Sequence, residues 1–277
     1  MTPPSDLPPA SDHPVRPRVV ATDLDGTLLD STGSVSPRTR RALRLARAAG
    51  AEIVFVTARA PRGVDPIAEA AGVSGTAVCS NGAIVYDLAA REIVTRHDLD
   101  PEAAAHVIDV LAGALPGVAF AVETGTVVLA EPGYDVHHHD PRQRREVRSV
   151  RDAGEPFVKL LAWSGEHPVD DMAAAAAEAV AGRAEVTHSG VGGLLEISAP
   201  GVTKAGTLAG FCAERGVAPA EVAAFGDMPN DLAVLAFAGA GYAMANAHHL
   251  VLAAVERRTL SNDDHGVAVV LERLYGP

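Results

Sequence analysis

Short apolar runs that stop at a polar cluster, each followed by a helical pattern, constrain this chain more than any other feature. Arg18-Val19-Val20-Ala21-Thr22 stops at Asp23-Leu24-Asp25-Gly26-Thr27. A few apolar residues without alternation mark a strand covered on both faces. Ser36 is placed to cap the helix that follows. Pro37 fits its first position, Leu43 and Ala46 give it an apolar face, and Gly50 stops it. Ile53-Val54-Phe55-Val56 then ends in Thr57, and Thr76-Ala77-Val78-Cys79 ends in Ser80-Asn81-Gly82. Strand, helix, strand, helix, strand predicts a parallel α/β sheet.

After about residue 85 the rhythm changes. Asp100 and Pro101 open a helix carrying Val107, Ile108 and Leu111. Strands are expected at 118–122 and 126–130 and, beyond a polar stretch from Glu131 to Asp152, at 157–163, 184–187 and 194–198, with an Ala-rich helix over 168–181. Paired short strands with helices between them predict an α+β unit with antiparallel pairing. The α/β rhythm returns near residue 200. A helix over 204–215 precedes a strand at 222–225 that ends in Gly226-Asp227. Pro229 opens another helix, 241–244 is a short strand, and Val267, Val270, Leu271 and Leu274 share one face of a closing helix. The length of 277 residues suits about two domains of ~150 residues. The expected fold is α/β: a Rossmann-like parallel-sheet core domain, residues 17–84 and 198–277, interrupted by an inserted α+β domain, residues 85–197. Residues 1–16, rich in Pro, are expected to be a disordered tail.

The formal charge of −12 argues against a nucleic-acid partner, which wants a basic face. No apolar run reaches the ~18 residues of a membrane span, so no membrane partner is expected. The first residues lack the apolar segment of a secretory signal. The two cysteines, Cys79 and Cys212, are far apart and match no zinc spacing. They read as core residues of a reduced, cytoplasmic protein. Of 23 basic residues only two are lysines, Lys159 and Lys204, so each lysine invites a functional question.

Loops at the carboxyl ends of parallel strands meet at one crevice, where ligands bind. Asp23 and Asp25 follow the first strand and Thr57 the second. Asp227, Asn230 and Asp231 follow a late one, and Lys204 opens a helix. Gathered together, these carboxylates require a cation, and hard oxygen ligands select Mg²⁺. Lys204 and Thr57 are left to donate to phosphate oxygens. An Asp-x-Asp-Gly turn alone is often only a turn, and Lys204 alone reads equally well as a solvated helix residue. The combination raises both to site candidates.

Asp23-Leu24-Asp25-Gly26-Thr27-Leu28-Leu29, Thr57, Lys204 and Gly226-Asp227-Met228-Pro229-Asn230-Asp231 resemble, in order and spacing, the four motifs of the haloacid dehalogenase superfamily of phosphatases. The insert between the second and third motifs resembles the type IIB cap of the Cof-like branch, as do Ser80-Asn81-Gly82-Ala83 and the stretch Ser261–Ala268. The resemblance implies that Asp23 is the nucleophile and Asp25 the acid that protonates the leaving alcohol and later activates water. It implies that Asp23, the backbone carbonyl of Asp25, and Asp227 hold Mg²⁺, with Asn230 and Asp231 in support. Thr57 and Lys204 would bind the phosphoryl oxygens. Arg59 and Asn81 read equally as substrate contacts or as residues that tie loops together. Two positions depart from the pattern. Thr57-Ala58-Arg59 stands where Thr-Gly-Arg is frequent, and His265 precedes Gly266 where Asp is usual.

The expected activity is Mg²⁺-dependent hydrolysis of a small phosphorylated metabolite, such as a sugar phosphate, through an aspartyl phosphate. A phosphomutase would use the same chemistry and release an isomer in place of phosphate. A non-catalytic phospho-ligand module would lack part of the motif set. His137-His138-His139, flanked by Asp135 and Asp140, reads as a solvated loop, because consecutive His side chains converge poorly on one ion. The basic run Arg142, Arg144, Arg145, Arg148 and Arg151 reads first as a solvated face and second as an anion-binding lid.

Overall fold

The computed structural model describes residues 16–134, 143–180, 182–189 and 192–276. Residues 1–15 of the expected tail 1–16, the run His137–His139 and Arg142 lie outside these residues. Among the described residues the strands form two sheets.

The first sheet begins with β1 (Val19–Thr22), β2 (Glu52–Val56) and β3 (Thr76–Cys79), joined by α1 (Pro37–Ala48) and α2 (Pro61–Ala71). The Ser36 side chain caps α1 by accepting from Thr39 N. A hairpin, β4 (Ile84–Asp87) and β5 (Glu92–Arg96), extends the sheet antiparallel beside β3. The break expected after residue 84 therefore falls inside this sheet. β5 is exposed along most of its length. Its β-branched Ile93-Val94-Thr95 favours a strand without being buried.

The chain then enters the second sheet through α3 (Pro101–Ala114), β6 (Ala119–Glu123), β7 (Val128–Ala130), β8 (Arg144–Glu146), β9 (Lys159–Trp163), α4 (Val169–Ala179), β10 (Glu185–Thr187) and β11 (Leu194–Ser198). The order is β10-β11-β9-β6-β7-β8, antiparallel except for β7 and β8. β8 lies in the polar stretch from Glu131 to Asp152, an edge strand that polarity hides. Alternation along β9 and β11 turns Leu160, Ala162, Leu195 and Ile197 toward α3 and α4, where they form a core with Leu111 and Met172. The opposite face carries Lys159, Leu161, Leu194 and Glu196.

The chain returns through α5 (Lys204–Glu214), β12 (Val222–Gly226), α6 (Leu232–Phe237), β13 (Ala240–Ala243), α7 (His249–Ala254) and α8 (Gly266–Tyr275). The first sheet is completed in the order β13-β12-β1-β2-β3-β4-β5, with β13 to β3 parallel. Its core, including Leu43, Phe55, Cys79, Cys212, Phe225 and Leu271, is separate from that of the second sheet. Both cysteines are free and buried there. No helix of the described residues is long and apolar enough to cross a membrane.

Candidate active site

β1 pairs with β2 on one side and β12 on the other, and Thr22 aligns with both Phe55 and Phe225. This register brings Asp23, Thr57 and Asp227 to the carboxyl ends of three adjacent parallel strands. The chain leaves β1 in both directions along the sheet, which opens the crevice. Asp23 N donates to Phe225 O at 3.0 Å, fixing the turn to β12.

Lys204 begins α5 and reaches inward. Its Nζ lies 2.7 Å from Asp23 Oδ1 and 2.8 Å from Asp231 Oδ1, and all three residues are buried. A cation at a helix N-terminus opposes the helix dipole, so these two carboxylates are what hold Lys204 charged. They push its pKa further upward against the effect of burial. Asp231 Oδ2 also accepts from the backbone N–H groups of Asp227 and Met228, each at 3.1 Å. Asp227 Oδ1 accepts from Thr27 Oγ1 at 2.7 Å. Asp231, expected only in support, is therefore an organising centre of the site.

Oxygens of Asp23, Asp227 and Asp231 lie within 4.8 Å of one another. Burial pushes Asp23 well above the usual carboxylate range, against the pull of Lys204 and with Asp231 and Asp227 adding to the rise. Burial and Asp231 push Asp227 up to about 7. One ammonium does not balance three buried carboxylates. The all-oxygen donor set and this uncompensated charge fit a hard divalent cation.

Asp25 lies in the turn after Asp23, but its side chain is half exposed. Arg59 grips both its oxygens, Nε to Oδ2 at 2.7 Å and Nη2 to Oδ1 at 2.6 Å. Arg59, a candidate for substrate contact or for tying loops together, holds Asp25 here. Thr57 is buried, and its Oγ1 accepts from Arg59 N at 3.1 Å. Asn81 Nδ2 donates to Thr187 Oγ1 at 3.2 Å, and its Oδ1 accepts from Asn230 Nδ2 at 3.2 Å. Asn81 thus bridges the two sheets.

A cavity of about 560 Å³ lies between the sheets, and Asp23, Asp25, Thr57, Arg59, Lys204 and Asn230 line it from the first. From the second come Glu123, Lys159, Leu161 and Glu196, with Arg62 of α2 between. Arg62 holds both oxygens of Glu123 at 2.7 and 2.5 Å. Sequence reasoning flagged Lys159 by its rarity but did not place it, and it missed Glu123, Glu196 and Arg62. The usable signal was a charged residue inside an otherwise apolar strand, since such a residue is buried only with a partner. The described arginines of the basic run, Arg144, Arg145, Arg148 and Arg151, do not line this cavity. Arg144 donates to Tyr134 O, Arg145 pairs with Glu155, and Arg151 pairs with Asp109.

The stretch Ser261–Ala268 serves the turn after β1. Asn262 Nδ2 donates to Leu29 O at 2.9 Å, and Asp263 Oδ1 accepts from Ser31 N at 2.7 Å. His265 adopts a left-handed backbone, φ 62°, before α8.

Residues 20–271 match the model of the haloacid dehalogenase-like hydrolases, and the chain belongs to that family. By class it is a phosphoric monoester hydrolase. Phosphatase YwpJ of Bacillus subtilis is 27% identical over 302 residues, covering 93% of this chain and 99% of that protein. Pyridoxal phosphate phosphatase YbhA of Escherichia coli is 28% identical, covering 85% and 90%. Among solved structures, SMU.1108c of Streptococcus mutans UA159 superposes with a TM-score of 0.82 at 26% identity, covering 92% of this chain and 97% of that one.

Proposed function

We propose that the protein is a cytoplasmic Mg²⁺-dependent phosphatase that hydrolyses a small phosphorylated metabolite through an aspartyl phosphate on Asp23. The observation that carries this reading is the buried Asp23–Lys204–Asp231 cluster, with Asp227 beside it, at the edge of an enclosed cavity. Relatives named for phosphatase activity, one of them on pyridoxal phosphate, support the substrate class.

The Asp23 carboxylate attacks phosphorus, and the bond to the leaving alcohol oxygen breaks. Asp25 gives that oxygen its proton. Asp25 then takes a proton from water as the water attacks phosphorus, which releases inorganic phosphate and regenerates Asp23. Arg59 holds both oxygens of Asp25 and must release one before Asp25 carries the proton it gives. Lys204 and the Thr57 hydroxyl donate to the phosphoryl oxygens, and Asn230 and Asp231 hold the site in shape. Asp23, Asp227 and the Asp25 carbonyl would hold Mg²⁺, which when bound neutralises phosphate charge.

The two aspartates are separable by experiment. Asp23→Asn forms no covalent adduct with 4-nitrophenyl phosphate. Asp25→Asn still undergoes attack, because nitrophenolate leaves without a proton, and its phosphorylated form accumulates because water lacks its base. Intact-protein mass spectrometry after acid quench reads both. An adduct on Asp23→Asn overturns the assignment.

A further inference from the structure

Asn81 is 2% exposed and does not line the cavity, so its side chain works inside the protein and not on a substrate. It sits in the turn Ser80–Gly82 after β3, where three successive residues have left-handed backbones, φ 51°, 58° and 102°. Such a run is uncommon outside glycine and persists only where neighbours hold it. Here the neighbours are the loops of the reacting groups. Ser80 N donates to Arg59 O at 2.8 Å and Asn81 N to Thr57 O at 3.0 Å. Thr207 Oγ1 of α5 donates to Gly82 O at 2.8 Å, and a Cβ on Gly82 would lie 2.3 Å from Thr203 O. The turn therefore packs directly on the start of the helix that carries Lys204.

The Asn81 amide faces two ways. Its Oδ1 accepts from Asn230 Nδ2 at 3.2 Å, within the first domain. Its Nδ2 donates to Thr187 Oγ1 at 3.2 Å, at the end of β10 in the second sheet. Thr187 gives its own proton to Glu196 O at 3.4 Å, which leaves that hydroxyl oxygen free to accept. The Glu196 side chain draws on the same amide. Burial opposes its ionisation, and Lys159, Ser189 and Asn81 together hold its carboxyl below the usual range. Lys159 Nζ also donates to Ala58 O at 2.9 Å, so a polar ring runs from the loop 57–59 through the second sheet and back to Asn81. Beyond Asn81 the chain of contacts continues. Asn230 belongs to the turn Pro229–Asp231, and Asp231 Oδ2 accepts from the backbone N–H groups of Asp227 and Met228.

The position asks for this residue type. Both N–H groups of the amide go to the second sheet, and its oxygen goes to Asn230. Asn offers donors on one side and an acceptor on the other, and it tolerates a left-handed backbone. Asp has no donor, and an apolar side chain of the same size would leave every partner bare. We infer that Asn81 is a positioning residue that couples docking of the second sheet to the turn 229–231, so that Asp227 takes its reacting position when that sheet is docked. The inference rests on the phosphatase reading above and adds the residue through which the inserted domain acts on the reacting groups without touching the substrate.

The test measures phosphate release by the full chain with Mg²⁺ on two substrates with unrelated leaving groups, 4-nitrophenyl phosphate and acetyl phosphate. Asn81→Gly keeps the left-handed backbone and removes the amide. It is expected to lower kcat about tenfold, by the same factor on both substrates. KM should change little, because docking shapes the reacting groups and not the grip on bound phosphate. Thr187→Val removes the acceptor on the second sheet, at a residue outside the cavity lining. It should lower kcat about threefold in the wild type and not at all in Asn81→Gly. Hydrogen–deuterium exchange gives a readout without turnover. Thr187→Val should speed exchange of the amides over 227–231 in the wild type and leave it unchanged in Asn81→Gly. If Asn81→Gly does not fold, Asn81→Asp carries the same comparison, since it keeps the volume and the acceptor for Asn230 but has no N–H. A loss confined to one substrate, a loss in KM alone, additive effects of the two substitutions, or exchange over 227–231 that ignores Thr187→Val overturns the inference and leaves the phosphatase reading standing. No Asp23-dependent phosphate release from either substrate overturns both.

Discussion

Asp23 and Asp25 are the same residue two positions apart, and their surroundings give them different work. Asp23 is buried against Lys204, whereas Asp25 is half exposed and held by Arg59. The glycine that follows makes this packing feasible. Gly26 has φ +73°, and a Cβ there would lie 2.3 Å from Asp227 Oδ2. Its carbonyl is also pinned by Asn246 Nδ2 at 2.8 Å. Gly26→Ala is therefore expected to displace the Asp227 carboxylate. Phosphate release should fall at least about tenfold, with a loss of stability of roughly 1–2 kcal/mol from the left-handed backbone. Full activity in that variant would show that the Asp227 position is not required. The three clustered carboxylates also predict that EDTA abolishes phosphate release and that Mg²⁺ restores it. Ca²⁺ should restore little, since its larger and looser coordination misplaces the nucleophile. Undiminished turnover in excess chelator sinks the metal assignment.

At the scale of the element, α5 carries Lys204 in its first turn, so the start of this helix sets where the ammonium lies. Thr203 caps it, with Oγ1 accepting from Gly206 N at 3.0 Å. Thr203→Ala removes that acceptor and leaves an N–H of the first turn unmatched. A loss of about 1 kcal/mol is expected in urea unfolding. The Michaelis constant should rise more than kcat falls, because a frayed first turn loosens the grip of Lys204 on phosphate in ground and transition states alike. Unchanged stability and kinetics would mean that the two ion pairs alone position Lys204. The hairpin β4–β5 matters at the same scale. Arg96, at its end, donates to Thr124 O at 2.7 Å and to Pro156 O at 2.8 Å. An edge strand of the first sheet is thus tied to the second where the chain crosses between them.

Across the whole molecule, the two sheets meet through polar contacts around the cavity. Arg62 pairs with Glu123, Lys159 reaches Ala58, and Asn81 reaches Thr187. This wall is sensitive to acid in a predictable direction. Lys159 holds the folded-state pKa of Glu196 below its unfolded value. The pair's contribution to stability is therefore fully present above about pH 4.5 and is lost as pH falls through the lowered folded value. Lys159→Met/Glu196→Met should match the wild type in stability at pH 7 to within about 1–2 kcal/mol or exceed it. It should lose less than the wild type between pH 5 and pH 3. Melting temperatures across that range check the sign, and an identical acid profile in both proteins would exclude the pair as its source.

The sequence by itself determined the parallel sheet and the polar clusters at its strand ends. Strands covered on both faces are written as continuous apolar runs, and the residue after each run emerges at the carboxyl edge whatever the rest of the chain does. Asp23, Thr57 and Asp227 were legible for that reason, and so was the Ser36 cap, which needs only a neighbour three residues on. The hairpin β4–β5 and the strand β8 were not, although the edge strands β10 and β13 were: β4 is four residues directly behind the Ser80–Gly82 turn, β5 is exposed, and β8 is three charged residues. The partners inside the site also lay beyond local reading. Arg59 grips Asp25 from 34 residues away, Asp231 reaches Lys204 from 27, and Glu196 reaches Lys159 from 37. Which charge meets which was decided by strand register and the crossing of the two sheets. Burial then makes each pairing obligatory, since an ion removed from water must find its counter-charge in the fold.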